Sequence, residues 1–207
     1  PSAIRLKGKL NVRALEQSIN EIVRRHEVLR TTFAMSETSP VQVISNRLTL
    51  IPFIVDLGNL SLKEREIKVS QLVPEENQMP FDLSQGPLIR VVLMRVSEND
   101  SALTLTSHHI ISDGWSSGII SRELVTIYDS FTNGRPSSLA EMFIQYADYS
   151  VWQRQWLQGE MLEELALYWK GKLTGGSTNL KLPVDRSRSK GQTFRGAKKQ
   201  MKLPLAV

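Results

Sequence analysis

PLIRVVLMRVSENDSALTLTSHH, residues 87–109, is the stretch that decides the fold of this chain. Residues 87–97 are almost continuously apolar and rich in β-branched side chains, which indicates a central strand covered on both faces. Turn-forming residues at 98–100 separate it from a second apolar stretch, 101–109, so the two are predicted to pair as a hairpin. A sheet centred on this hairpin is therefore predicted.

Strand and helix patterns alternate around the hairpin. Asn11 is a predicted N-cap for an amphipathic helix over residues 12–26. Ser61 and Glu64 have capping-box spacing, which predicts a helix from residue 62 that ends at Pro74. Further strands are predicted at 4–10, 29–35, 41–45, 48–55 and 193–204, and a further helix at 115–131. This mixture predicts a single α/β domain with a mixed sheet.

Residues 142–173 are predicted to form two helices broken at Gly159, followed by a polar loop over 174–192. The bulky apolar residues of these helices are Trp152, Trp156, Leu165 and Trp169. Large aromatic side chains usually contribute to cores, so core packing is the expectation for them.

Composition places the chain among ordinary globular proteins. Of its 207 residues, 41% are hydrophobic and 23% charged, and no apolar run has the length of a bilayer span. Cysteine is absent, which excludes disulfides, thiolate metal sites and cysteine nucleophiles, and fits a reducing, cytoplasmic location. Because the chain begins at Pro1 without a methionine, we expect it to be cut from a longer protein.

A positive charge balance bears on the choice of partner. Lys and Arg exceed Asp and Glu by 26 to 21, which favours an acidic partner or simply aids solubility. A basic nucleic-acid-binding module is the less favoured interpretation, because aromatic residues are only 7% and the basic residues are dispersed. Neither nucleic acid nor a membrane is therefore expected as a partner.

The adjacent histidines His108 and His109 stand just before Asp113 and Gly114. Successive side chains of a strand point to opposite faces, so the two histidines are expected to have different roles. Aspartate is a favoured N-cap, and glycine allows a sharp turn or close approach of a ligand. A histidine at a strand end, facing a helix N-terminus, suits general-base chemistry.

Other interpretations of the histidine pair remain at this point. A metal site is disfavoured, because this spacing is not a familiar zinc pattern. A purely structural pair and a catalytic pair weigh equally on the residues alone. Serines flank the pair, but no Gly-x-Ser-x-Gly turn exists to support a serine hydrolase.

Several motifs resemble one family in their order along the chain. HHIISDG (108–114) resembles the HHxxxDG signature of the condensation domains of nonribosomal peptide synthetases, and of the wider chloramphenicol acetyltransferase-like acyltransferases. RHEVLRTTF (25–33) resembles the second core motif of condensation domains, and YADYSVW (146–152) the fourth. FDLSQGPLIR (81–90) and LPVDR (182–186) are also similar to sequence of this family.

The resemblance implies a chloramphenicol acetyltransferase-like sandwich in which this chain is one lobe of a two-lobed pseudodimer. Residues 1–207 would be the N-terminal lobe, without the first core motif and without the C-terminal lobe. A catalytic parent protein is therefore expected, with the fragment alone inactive or nearly so.

The resemblance also implies amide formation between a carrier-bound acyl or peptidyl thioester and the amine of a carrier-bound aminoacyl thioester. The substrates would be phosphopantetheine thioesters on donor and acceptor carrier domains, next to an adenylation domain of the same synthetase. No cofactor would be bound by this chain. Gly114 would let its backbone approach the thioester.

For the remaining motif residues the resemblance implies separate roles. His109 would act as general base or as positioner, and His108 would hold the scaffold. Asp113 would be mostly structural, with Arg25 or Arg30 as its ion-pair partner. His26, at the end of the first helix, is expected to be structural.

Relatives with the same signature give the alternatives. A coenzyme A-dependent acyltransferase of the same fold is disfavoured by the motifs at 25–33 and 146–152, and an epimerisation domain by the residues after Gly114. A non-catalytic lobe is the less favoured choice while both histidines are present. At the finest level, HHIISDGWS (108–116) resembles the subtype of condensation domain that joins two L-residues.

Overall fold

The computed structural model describes residues 3–37 and 39–176, together with Pro183 and Met201. The chain divides into two compact units, residues 1–157 and residues 158–207. The strands are β1 (Ile4–Lys7), β2 (Thr31–Met35), β3 (Pro40–Ile44), β4 (Phe53–Asp56), β5 (Ile89–Ser97) and β6 (Asp100–Ser107). The helices are α1 (Val12–Arg25), α2 (Leu62–Gln78), α3 (Gly114–Thr132), α4 (Tyr146–Trp156) and α5 (Gly159–Leu173), and a 3-10 helix at Glu27–Arg30 precedes β2. Within the described residues, no helix combines the length and the apolar character needed to span a bilayer.

The predicted hairpin lies at the centre of a four-stranded sheet with the order β1-β6-β5-β4. β5 and β6 pair antiparallel with Leu93 opposite Leu103, and β1 pairs antiparallel with β6. β4 joins the other side of β5 in parallel, with α2 in the connection between them. The mixed sheet predicted from the sequence is confirmed.

Strand β5 is covered on both faces, as its continuous apolar sequence predicts. Leu93 and its odd-numbered neighbours pack in the cluster that contains the buried residues of α1 and α3. Met94 and Val96 point the other way, into a second cluster bordered by α2. Side chains alternate along a strand, so only a strand buried on both faces needs apolar residues at every position.

Helices α1 and α3 cover the face of β5 that carries Leu93. Asn11 caps α1 by accepting a hydrogen bond from the Ala14 amide at 3.0 Å, and the apolar face of α1 is buried as predicted. α3 buries Leu124 and Ile127 against the same cluster. Helix α3 ends at Thr132, next to the predicted end at residue 131. Gly134, just beyond it, has a φ of 67°, which glycine adopts readily.

Helix α2 corrects the prediction that Pro74 ends it, since it continues through that proline to Gln78. A proline ring fits helical φ, and its cost is one lost hydrogen bond and a clash with the preceding turn. Arg90 of β5 secures the turn beyond it, donating to the carboxylate of Glu76 at 2.5 Å and to the carbonyl oxygens of Glu76 and Met79 at 2.9 Å. The contacts that Arg90 makes from β5 therefore outweigh the tendency of Pro74 to end the helix.

Some predicted strands are shorter than expected. Of the stretch 48–55, only the end enters β4, because both backbone polar groups of Leu50 bind the side chain of Asn20 at 2.8–2.9 Å. The stretch 29–35 begins in the 3-10 helix, and 4–10 is a strand only over β1. β2 and β3 form a separate antiparallel pair.

The expected core packing of the late tryptophans is wrong for this chain. In α4, Trp152 and Trp156 are 53% and 47% exposed, and in α5 Trp169 is 58% exposed. The helices themselves form as predicted, on either side of the break at 157–158. The predicted strand over 193–204 and most of the predicted loop over 174–192 lie outside the described residues.

Candidate functional site

The histidine pair lies in a turn just beyond the end of β6. The backbone amide of His108 still donates to the Leu88 carbonyl at 2.9 Å, and Ile111 closes the turn onto the His108 carbonyl at 3.1 Å. Because the strand ends at Ser107, the turn, not strand alternation, separates the two imidazoles. The two histidines lie in different environments, and the strand alternation on which the sequence prediction of different roles was based is not the cause.

The ring of His108 is held by its surroundings. Its Nδ1 accepts a hydrogen bond from the Ile110 amide at 3.0 Å, so the neutral ring carries its proton on Nε2. Phe81 meets the ring edge-on at 6.2 Å between centroids, and the Arg90 guanidinium lies 3.8 Å from the Phe81 centroid. Arg90 is anchored in turn by Glu76. His108 is thus built into the scaffold.

His109 is in the opposite situation. Its side chain is exposed, and among the described residues no hydrogen bond or ring contact engages its imidazole. An unengaged imidazole can accept a proton or a hydrogen bond from a substrate amine at neutral pH. Of the two histidines, His109 is the exposed one, and His108 is partly buried.

Asp113 caps helix α3. Its Oδ1 accepts hydrogen bonds from the Ser116 hydroxyl at 2.6 Å and from the Ser116 amide at 2.7 Å. These bonds, the hydroxyl first and the amide second, lower the pKa of Asp113, since they favour its charged form. The carboxylate therefore fixes the start of α3, a few residues after His109 in the chain.

The predicted ion pair between Asp113 and Arg25 or Arg30 is wrong. Arg30 donates to the Ser45 carbonyl and to the Glu27 carboxylate, whereas Arg25 turns toward α3. Asp113 is occupied by its own helix start, which satisfies a carboxylate without a distant arginine. Arg30 therefore supports the segment that leads into β2, and Arg25 joins the end of α1 to α3, so neither arginine pairs with the motif aspartate.

Gly114 is the first residue of α3, and its backbone does not need glycine for its conformation. It is absent from the glycines with positive φ, and a Cβ built on it meets no atom within 4 Å. The sharp turn that the sequence prediction offered as one reason for glycine is therefore not the reason. Open space at residue 114, next to the exposed Trp115 on the same helix start, is compatible with close approach of a ligand.

A serine pair completes the support of the turn. Ser107 and Ser112 bind through their hydroxyl oxygens at 2.6 Å, and Ser112 also donates to the His108 carbonyl at 3.4 Å. These contacts join the end of β6 to the far end of the turn. The sequence showed these serines beside the histidine pair but not that their hydroxyls bind each other, because only the turn brings them together.

Sequence reasoning also missed Glu123, on which Arg25 and His26 converge. A signal was present: Glu123 follows Ile120 by three residues and precedes Ile127 by four, so it falls on the apolar stripe of α3. A carboxylate on such a stripe is rarely buried without a basic partner. The partner itself, at the end of α1, follows only from the packing of the two helices.

No metal centre emerges from these residues. Within the described part of the chain, no three His, Cys, Asp or Glu side chains group closely enough to hold a metal ion.

Comparison with known proteins gives a consistent result. A family model described as "Condensation domain" matches residues 1–207. A protein of the linear gramicidin synthase of Brevibacillus parabrevis is 45% identical over 207 residues, which cover all of this chain and 3% of that protein. The chain thus spans only a small part of the curated relative it matches.

Solved structures show the same likeness. A chain in the complex of the X-domain and OxyB from teicoplanin biosynthesis matches with a TM-score of 0.78 and 30% identity, over 90% of this chain and 40% of that one. The starter condensation domain of rhizomide synthetase RzmA matches in fold, with a TM-score of 0.74 and 18% identity, over 84% of this chain and 42% of that one. These matches confirm the predicted chloramphenicol acetyltransferase-like α/β fold.

Proposed function

This chain belongs to the condensation domain family, and on that premise we propose that its parent protein forms amide bonds in nonribosomal peptide synthesis. The donor is an acyl or peptidyl thioester, and the acceptor is the amine of an aminoacyl thioester. The observation that carries the proposal is the exposed imidazole of His109 just beyond the end of β6, which no described residue engages, in a chain that the family model matches throughout.

The reaction replaces one bond with another. The acceptor nitrogen attacks the thioester carbonyl carbon, the carbon–sulfur bond breaks, and the thiol leaves with a proton. His109 takes the proton from the amine nitrogen, or holds the amine in line by a hydrogen bond. Proton transfer of this kind contributes about a hundred- to ten-thousandfold in rate.

Two neighbours of His109, His108 and Asp113, serve this step without touching substrate. His108, pinned through Nδ1 and against Phe81, fixes the turn that carries His109. Asp113 fixes the start of α3, and the open space at Gly114 gives the thioester room beside the helix N-terminus. Backbone amides at a helix start favour a developing oxyanion.

The substrates reach this site as phosphopantetheine thioesters on a donor and an acceptor carrier domain, in a synthetase that also contains an adenylation domain. The gramicidin synthase relative supports this setting by its name. A net charge of +5 suits docking of acidic carrier domains. The cofactor arm belongs to the carriers, and this chain binds none of its own.

This chain forms the N-terminal lobe of a two-lobed domain. In support, it covers 40% of the matched teicoplanin chain. α4 also presents an aromatic stripe (Tyr146, Tyr149, Trp152 and Trp156), whose successive ring centroids are 5.7–5.9 Å apart and whose members are all about half exposed. Large exposed apolar surfaces mark interfaces, and the second lobe is the partner that would cover this stripe.

The test compares the complete parent synthetase with its His109→Ala and His109→Gln variants, using two loaded carrier domains and measuring dipeptide formation. We expect His109→Ala to lose about a hundredfold or more while circular dichroism shows it folded. Glutamine can hold an amine but cannot take its proton, so an inactive His109→Gln variant indicates a base and an active one a positioner. A folded His109→Ala variant that condenses at the wild-type rate would contradict the proposal.

A further inference from the structure

Two basic side chains from the end of α1 converge on one carboxylate of α3. His26 Nε2 lies 2.8 Å from Glu123 Oε2, and Arg25 Nε lies 3.5 Å from the same oxygen. A carboxylate only accepts, so Nε2 of His26 carries the proton. The side chains of Arg25, His26 and Glu123 are 4%, 14% and 17% exposed, and we call these three residues the Glu123 cluster.

The Glu123 cluster also holds a third segment of the chain. Arg25 donates to the Ala140 carbonyl at 2.8 Å and to the Leu139 carbonyl at 3.4 Å. The side-chain Nε2 of Gln145 donates to the backbone carbonyl of Arg25 at 2.8 Å, and the side-chain Oε1 of Gln145 accepts from the backbone amide of Glu27 at 3.1 Å. The end of α1, the middle of α3 and the segment 139–145 are therefore fastened at one point.

Every polar group at this point has a partner. Among the described residues, no buried side-chain nitrogen or oxygen lacks a hydrogen bond. Among the described residues, Glu123 is the carboxylate in direct ion-pair contact with Arg25, which is almost fully buried, and the other hydrogen-bond acceptors of the Arg25 guanidinium are neutral carbonyl oxygens. Buried charges persist in proteins only when they are paired in this way.

Helix α3 connects the Glu123 cluster to the turn that carries His109. Glu123 lies nine residues after Gly114, a distance of about 14 Å on a rigid helix axis. The same helix is capped by Asp113, which follows the turn that carries His109. Fixing α3 at Glu123 thus sets where its N-terminus stands relative to the end of β6.

We propose that Glu123 is a positioning residue of the condensation site, which acts through α3 on the turn that carries His109. The proposal rests on the proposed function. The sequence predicted an arginine ion pair at Asp113, just before α3. The structure has the ion pair of Arg25 at Glu123, in the middle of α3, and the proposal gives the supporting role to Glu123.

The test uses the complete synthetase with both carrier domains loaded, and measures kcat for dipeptide formation and KM for each carrier substrate. Glu123→Gln keeps the side-chain volume but removes the charge, and Glu123→Asp keeps the charge but is too short to reach both donors. Misplacement of reacting groups by 1 Å costs up to about a hundredfold. We therefore expect kcat to fall about ten- to a hundredfold in both variants, with KM within about twofold of wild type.

Asp129→Asn is the matched control, because Asp129 lies six residues further along α3 in an exposed ion pair with Arg135. It is expected to keep the wild-type kcat. The double variant His26→Ala/Glu123→Gln is expected to be no slower than Glu123→Gln alone, since contacting residues are not additive. A fall in Asp129→Asn equal to that in Glu123→Gln would overturn the proposal, because helix α3 would then be sensitive everywhere.

Folded Glu123→Gln and Glu123→Asp variants with wild-type kcat would also overturn it. If neither variant folds, the milder His26→Asn decides, since it leaves Glu123 paired with Arg25: a kcat reduced several-fold supports positioning and an unchanged kcat overturns it. A wild-type synthetase that forms no dipeptide overturns the proposed function itself. An active wild type with unaffected variants overturns the positioning role alone.

Discussion

The two adjacent histidines show how environment separates identical side chains. The Nδ1 of His108 accepts from the Ile110 amide and its ring packs edge-on against Phe81, whereas no described residue engages the imidazole of His109. One turn, closed by Ile111 onto the His108 carbonyl, is enough to produce this difference. At this scale, the proposed role of His109 depends on the turn leaving its imidazole outside the contacts that hold His108.

Gly114 gives a prediction at the same scale. Since its backbone is helical and a Cβ there meets nothing within 4 Å, Gly114→Ala is expected to leave the free energy of unfolding unchanged or to raise it by up to about 1 kcal/mol. Dipeptide formation by the complete synthetase is expected to fall at least about tenfold, because the added methyl displaces the approaching thioester.

Urea unfolding of this chain and dipeptide assays of the synthetase measure the two effects separately. An alanine variant with full activity would show that no substrate approaches residue 114. A destabilised variant would contradict the open space that surrounds it.

At the scale of elements, each helix is defined by its ends and by what it contacts. α3 begins at the Asp113 cap and is fastened by Glu123, while α2 survives an internal proline because Arg90 holds its last turn. Edge strand β1 is secured in a comparable way: Arg5 binds Asp100 of β6 through two hydrogen bonds of 2.6 Å, and Lys7 adds a third at 2.8 Å.

This edge predicts a pH dependence. The hydrogen bonds from Arg5, aided by Lys7, lower the pKa of Asp100 from 3.8 to about 2 in the folded chain. A carboxyl whose pKa is lowered by folding stabilises the fold above its unfolded pKa, and that contribution is lost as the pH falls from about 4 to about 2. We expect Asp100→Asn to lower the free energy of unfolding by about 1 kcal/mol at pH 7.

The difference between wild type and Asp100→Asn should therefore shrink between pH 4 and pH 2, measured by urea unfolding. Glu98→Gln is the control from the same β5–β6 turn, since Glu98 forms no ion pair among the described residues. An effect of Asp100→Asn that is constant across this pH range would exclude the ion pair as its cause.

At the scale of the whole molecule, the chain presents a large exposed apolar surface on α4, which we propose that a second lobe covers in the parent protein. The aromatic stripe of α4 is about half exposed, although four large rings in a row are typical of an interior. The chain covers 40% of the matched teicoplanin chain, so that chain contains further residues to pack against such a surface.

Trp152→Ala tests this in two contexts. In the complete domain, where we propose that the second lobe covers the stripe, it is expected to lower the free energy of unfolding by about 3–5 kcal/mol. In the chain of residues 1–207, where Trp152 is 53% exposed, the loss is expected to stay near about 1 kcal/mol. Denaturant unfolding of both proteins measures the two values, and equal losses would mean that the second lobe does not cover the stripe.

Much of this architecture was already determined by local sequence. Continuous apolar residues at 87–97 can be satisfied only by a strand buried on both faces, and the caps at Asn11 and Ser61 set where α1 and α2 begin. The ordered motifs at 25–33, 108–114 and 146–152 indicated the family. These features depend on residues close together in the chain, so their patterns are visible without coordinates.

Only the tertiary structure decided which partners meet. Arg25 pairs with Glu123 rather than with Asp113. Helix α2 continues beyond Pro74, where Arg90 binds its last turn. Leu50 hydrogen-bonds with the side chain of Asn20 instead of joining a strand. Each outcome is a competition between a local preference and a contact made across many residues of sequence. Periodicity and propensity describe the local preference alone, whereas the packing of α1 against α3 and of α2 against β5 supplies the energy that decides it.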